Sequence, residues 1–173
     1  VSHSGDVAFE TMFMPTFAET ITHISRYGSP ANYVDSVMKA GKMSSDDFHT
    51  LMICAMAASY DPGISEADNP LGIQLPVDMK YCELDEHRWS KWLEFDTLKL
   101  IESNSNNLNS LKLLFFDCGN QDQYGIQYGS RKLAIRLSEL GINHIWEEFD
   151  GTHSGIDFRL DTSLPLLSKS LMS

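Results

Sequence analysis

Apolar positions recur at helical spacing through roughly the first hundred residues and then give way to two short, continuous apolar runs. In the stretch FAETITHISRY, Phe17, Ile21 and Ile24 fall on one face, with Thr16 placed to cap the helix and Gly28 to stop it. Ser29-Pro30 reads as an N-cap followed by a first-turn proline, and Tyr33, Val34, Val37 and Met38 form a stripe that ends at Gly41. Ser44-Ser45-Asp46-Asp47 opens a third helix in the manner of a capping box. Its apolar positions are Phe48, Leu51, Met52, Ala55 and Met56, and Asp61-Pro62-Gly63 ends it. Residues 61–80 hold Pro62, Pro70 and Pro76 and read as loop. A fourth helix is expected from Asp85 to Ile101, packing through Trp89, Trp92, Leu93 and Leu100.

The period then changes. The polar tract at 103–110 reads as a surface connection. LKLLFFD, residues 111–117, is apolar without alternation, as a strand covered on both faces requires. A loop, an amphipathic helix over 130–140, a second strand at 143–149, the loop DGTHSG and a final helix with Pro165 in its first turn follow. VSHSGD at the start reads as a strand, residues 1–5, running into a turn. Strand–helix–strand–helix order predicts an α/β protein with a parallel sheet and a right-handed crossover. The first strand is separated from the others by a mostly helical insertion over about 8–101, within one partial domain spanning 1–173.

Charge and cysteine content narrow the function classes. Lys and Arg number 13 against 24 Asp and Glu, for a formal net charge of −11. That repels phosphate backbones and anionic lipid, so neither nucleic acid nor a membrane is an expected partner. No apolar run approaches the roughly 20 residues of a bilayer span. Cys54, Cys82 and Cys118 are odd in number and widely spaced, which fits reduced thiols and a cytoplasmic location. The chain opens on Val1 in what reads as mid-domain sequence, so a fragment, a processed product or a truncation is expected.

Functional groups of open α/β sheets collect in loops at the carboxyl ends of strands. Two such loops stand side by side here, one carrying Asp122 and the other His153. They lie 31 positions apart (153 − 122), which is one βα unit. An Asp that orients a His, and a His that moves a proton, make two-thirds of a nucleophilic triad. Spacing alone leaves the pair open to coincidence. Asp117, at a strand end, and Asp150, three residues before His153, are weaker choices for the acid. Ser4 reads as a turn hydroxyl, and His3 with Asp6 lacks a third metal ligand. His23, His49 and His87 read as solvated helix residues, and His144 as structural. Glu147 and Glu148 point to opposite faces of a strand and cannot share a site. Tyr124 and Tyr128 flank the acid loop and either line a pocket or simply pack.

Four stretches carry a family likeness: VSHSGDVAFE, HRWSKWLEFDTLKLIE, FFDCGNQDQYGIQYGSRKLAIRLSELGI and IWEEFDGTHSGIDFRLDTSLPLLSKSL. Together they resemble the C-terminal part of the putative esterase family of α/β-hydrolases, the group that includes esterase D and enterochelin-esterase-like proteins. The resemblance implies the last strands of an α/β-hydrolase sheet with a helical insertion shaping substrate choice. It implies His153 as triad base, Asp122 as triad acid, a small carboxylic ester as substrate and no cofactor or metal. It also marks a departure, because no G-x-S-x-G elbow occurs in the chain. The nucleophile and the oxyanion hole would lie upstream of Val1, and the chain alone is expected to be inactive. The first strand would present an unpaired edge, so pairing with the N-terminal half of the same hydrolase, or self-association through that edge, is expected. The alternative is a catalytically inactive α/β-hydrolase-like binding or scaffold module.

Overall fold

The structure is a computed structural model that describes residues 1–67 and 69–172. It is mixed α/β, and the chain divides into two units, Phe13–Phe95 and Val1–Met12 with the chain from Asp96 onward.

The second of these holds a three-stranded parallel sheet in the order β1 (Ser2–His3), β2 (Phe115–Gly119), β3 (Ile145–Phe149). Ser2 pairs with Phe116 and His3 with Asp117, while Phe115 to Gly119 pair in register with Ile145 to Phe149. Strand limits follow the partner and not the apolar run. Leu111 lies outside the sheet and exposed, whereas Cys118 and Gly119, expected as loop, are strand because Glu148 and Phe149 lie opposite them. The expected strand at 1–5 shortens to two residues: Ser4 adopts a positive φ of 48°, which turns the chain away after His3.

The short helix α1 (Phe9–Met12) follows β1. In the sheet unit the chain resumes at Asp96, whose buried carboxylate does three jobs at once. It caps α6 (Thr97–Leu100) through the Leu98 N–H at 3.0 Å. It also accepts the N–H groups of Ala8 at 3.0 Å and Phe9 at 2.9 Å. The single helix expected over 85–101 is therefore two, because Asp96 is committed to capping and to the β1 exit. The polar tract expected as a connection contains a short helix, α7 (Ser105–Asn109).

Helix α8 (Ile126–Glu139) begins four residues before the expected 130. The glycines that look like loop punctuation serve other ends. Gly125 sits at φ 73° as the N-cap, and Gly129 lets the helix approach Val7 so closely that a Cβ would lie 2.7 Å from its carbonyl oxygen. Phe116, Leu137, Ile101 and Ile142 form the core on this side of the sheet. A 3-10 turn at Ile156–Arg159 leads into α9 (Leu160–Met172), so Pro165 lies inside the helix and not in its first turn.

The helical unit contains α2 (Phe17–Ser25), α3 (Pro30–Ala40), α4 (Ser45–Tyr60) and α5 (Glu86–Leu93). Ser29 caps α3 through the Asn32 N–H, and Ser44 with Asp47 forms the reciprocal capping box of α4. Thr16 does not cap α2; its hydroxyl donates to the Phe13 carbonyl. Phe13, Phe17, Trp89 and Trp92 meet edge-on in the centre of this unit. Asp61, which ends α4, is buried against Arg88 at 2.7 Å and Lys91 at 2.6 Å. His23, expected to be solvated, is instead half-buried and bonded to the Thr50 hydroxyl at 3.0 Å.

Candidate active site

Two loops leave the carboxyl ends of β2 and β3 and are laced together. The Asn120 N–H donates to the Phe149 carbonyl at 2.8 Å, and the Gln121 N–H to the Gly151 carbonyl at 2.9 Å. Gln121 Nε2 donates to Asp150 Oδ1 at 3.0 Å, which occupies Asp150 away from His153. Gly119 is where the loops touch: a Cβ there would collide with the Gly151 carbonyl. The His153 N–H donates to Gln123 Oε1 at 3.0 Å, fixing the backbone of the second loop against the first.

This lacing brings His153 onto Asp122, with Nδ1 3.0 Å from Oδ2. The Asp122 side chain is fully buried, while that of His153 is 34% exposed. A carboxylate only accepts, so Nδ1 carries the proton and Nε2 keeps its lone pair. Among the described residues no hydrogen-bond partner sits on Nε2. The Tyr124 N–H donates to Asp122 Oδ1 at 2.9 Å, and the Tyr124 ring meets the imidazole edge-on at 4.9 Å. Tyr128 is not at this contact; it is exposed, with the Arg131 guanidinium 5.5 Å from its ring.

Three further residues stand near the pair in places that the sequence reading does not assign to them. Cys118 is buried, with Sγ 3.6 Å from Asp122 Oδ2. The buried Ser4 hydroxyl lies 3.6 Å from that sulfur. Ser4 is thus buried with its hydroxyl on that sulfur, and among the described residues no hydrogen bond joins it to His153. Asp6, on the loop after β1, lies within electrostatic reach of His153. Neighbouring protein atoms desolvate its carboxyl and raise it above the usual 3.8, and His153 partly offsets the rise. Asp6 also borders a mainly apolar cavity of about 200 Å³ on the α8 side of the sheet, lined by Val7, Ile101, Phe116 and Leu137. The sequence gives only a weak signal for these residues: three small or acidic side chains at strand ends.

A Ser–His–Asp arrangement of a different kind lies on the opposite face. His3 Nδ1 is 2.8 Å from Asp117 Oδ1, and His3 Nε2 is 3.0 Å from the Ser163 hydroxyl. The pairing of His3 is thus with Asp117 and not with Asp6. Arg159 Nε bonds the other Asp117 oxygen at 2.7 Å and also pairs with Glu147. Ser163 is only 2% exposed, so no substrate reaches its hydroxyl. Glu148 turns to the other face and forms a two-pronged pair with Arg131 at 2.7 Å, which holds its carboxyl below the usual range. Among the described residues no cluster of three or more His, Cys, Asp or Glu could hold a metal ion. None of the helices in those residues is long and apolar enough to cross a membrane. Compared with known proteins, the chain matches no protein-family model and no curated protein.

Proposed function

We propose that this chain is the C-terminal portion of an α/β-hydrolase that cleaves carboxylic esters, and that it supplies the base and the acid of a serine-hydrolase triad. The observation that carries the reading is the His153–Asp122 bond: a buried carboxylate on Nδ1 of a side chain that is 34% exposed and whose Nε2 has no hydrogen-bond partner among the described residues. Parallel strands ending in two adjacent loops, with the acid on the earlier and the histidine on the later, match the order that such enzymes use.

In this scheme His153 Nε2 takes the proton of a serine supplied from outside these residues as that serine attacks the ester carbonyl. The serine–acyl bond forms and the alcohol departs with the proton that His153 returns. Water then repeats the cycle and releases the acid. Asp122 holds the tautomer and stabilises the imidazolium. The serine and its oxyanion hole belong to an N-terminal half, which pairs with the edge of β1. Tyr124, packed on the imidazole, is the pocket residue of this scheme.

The test is p-nitrophenyl acetate turnover by the protein carrying its N-terminal half, with Asp122→Asn and His153→Ala beside it. Asp122→Asn is expected to lower kcat by about 10⁴-fold, because the amide stabilises the wrong tautomer. Turnover that survives both substitutions would sink the reading. Absence of turnover together with no labelling by a fluorophosphonate would favour a binding module instead.

A further inference from the structure

Asp122 is served by more than a histidine. Its Oδ1 accepts the Tyr124 N–H, and its Oδ2 accepts two donors, His153 Nδ1–H at 3.0 Å and Cys118 Sγ–H at 3.6 Å. The Cys118 sulfur in turn accepts the Ser4 hydroxyl at 3.6 Å. All of the atoms behind the carboxylate are buried. The arrangement is held from two directions. Cys118 is fixed by its place in β2 opposite Glu148, and Ser4 by a backbone φ of 48°, with its N–H on the Asp117 carbonyl at 2.8 Å. A non-glycine residue at positive φ is strained, and such strain persists only where surrounding contacts enforce it.

We propose that Cys118 is a positioning residue for the acid, with Ser4 as its backing donor: the thiol shares one carboxylate oxygen with the imidazole and so sets how much negative charge His153 feels. The proposal rests on the reading of Asp122 and His153 as acid and base. A sulfur is suited to the task because S–H is a weak donor that reaches far. It steadies the oxygen without displacing the stronger N–H bond, as a hydroxyl at shorter range would. Burial pushes the Cys118 thiol up to about 12, with the Asp122 and Asp117 charges adding to the rise and Ser4 opposing it. The thiol therefore stays a protonated donor through the neutral range and is not a nucleophile.

The experiment reads the His153 Nδ1–H proton by NMR on ¹⁵N-labelled chain. Removing the competing donor in Cys118→Ala should strengthen the remaining bond to Oδ2 and move that resonance downfield. Ser4→Ala should move it the same way by less, and Cys118→Ser, whose hydroxyl is the stronger competing donor on Oδ2, should move it upfield. Asp122→Asn is the control and should abolish the signature. If Asp122→Asn abolishes it while Cys118→Ala and Ser4→Ala leave it in place, the positioning role is overturned and the acid–base reading stands. If Asp122→Asn leaves it unchanged, the underlying pair is wrong and the inference falls with it. Should Cys118→Ala not fold, Ser4→Ala carries the same decision.

Discussion

The carboxyl end of β2 serves two histidines, and the two pairs differ in what lies beyond the ring. Asp117 holds His3 and Asp122 holds His153, each through Nδ1 and each with a fully buried carboxylate. On the Asp117 side every polar atom is spoken for: Arg159 takes the second carboxylate oxygen and Ser163 takes the far nitrogen of His3. On the Asp122 side no hydrogen bond reaches the far nitrogen of His153 among the described residues, and its side chain is twice as exposed as that of His3, 34% against 17%. Identical chemistry at the first bond thus yields a tie in one place and a candidate base in the other. Saturation of the second nitrogen, and not the presence of an Asp–His pair, separates structure from candidate catalysis.

The sharpest way to break the comparison is Asp117→Ala. It leaves the buried Arg159 guanidinium with Glu147 alone and is expected to cost about 3–5 kcal/mol in urea unfolding. Asp122→Ala, which strands no buried cation, should cost clearly less; equal losses would erase the distinction. Next is Gly119→Ala, whose Cβ meets the Gly151 carbonyl. It should cost about 1–3 kcal/mol and weaken the His153–Asp122 bond while sparing His3–Asp117, as ¹⁵N spectra of the two rings would reveal. Ser163→Ala removes the partner on His3 Nε2 and is expected to cost about 1 kcal/mol.

The smallest effect has the opposite sign. Because the Asp6 carboxyl is raised in the fold, its contribution to stability is fully present below the ordinary 3.8 and is lost as pH rises through the raised value. Asp6→Asn should therefore raise the melting temperature near pH 7 and match wild type below pH 3.8. A difference that stays constant with pH would show that charge is not the cause.

Periodicity made much of this legible. The caps of α3 and α4, the parallel order of the strands and the nearness of Asp122 to His153 follow from turn residues and element order, whereas the buried face of α4 is Thr50, Ile53, Cys54 and Ala57 and not the expected stripe from Phe48 to Met56. What stayed hidden depends on partners distant in sequence. Asp96 breaks a seemingly continuous helix because Ala8 and Phe9 need its oxygens. Gly129 sits inside a helix because Val7 presses on it. His3, read beside Asp6, belongs to a strand pair and a helix that no local window shows. The weak donor Cys118 has no spacing signature at all, since its role is defined only by where β2 ends.

The Asp96 clamp has a further consequence for how the chain can vary. Its carboxylate joins the exit of β1 to the start of α6, so residues 13–95 leave and re-enter the sheet unit through one gateway. The entropy of closing a loop grows only slowly with its length. The clamp between Phe9 and Asp96 therefore sets where the intervening chain begins and ends while placing little entropic limit on how many residues it holds.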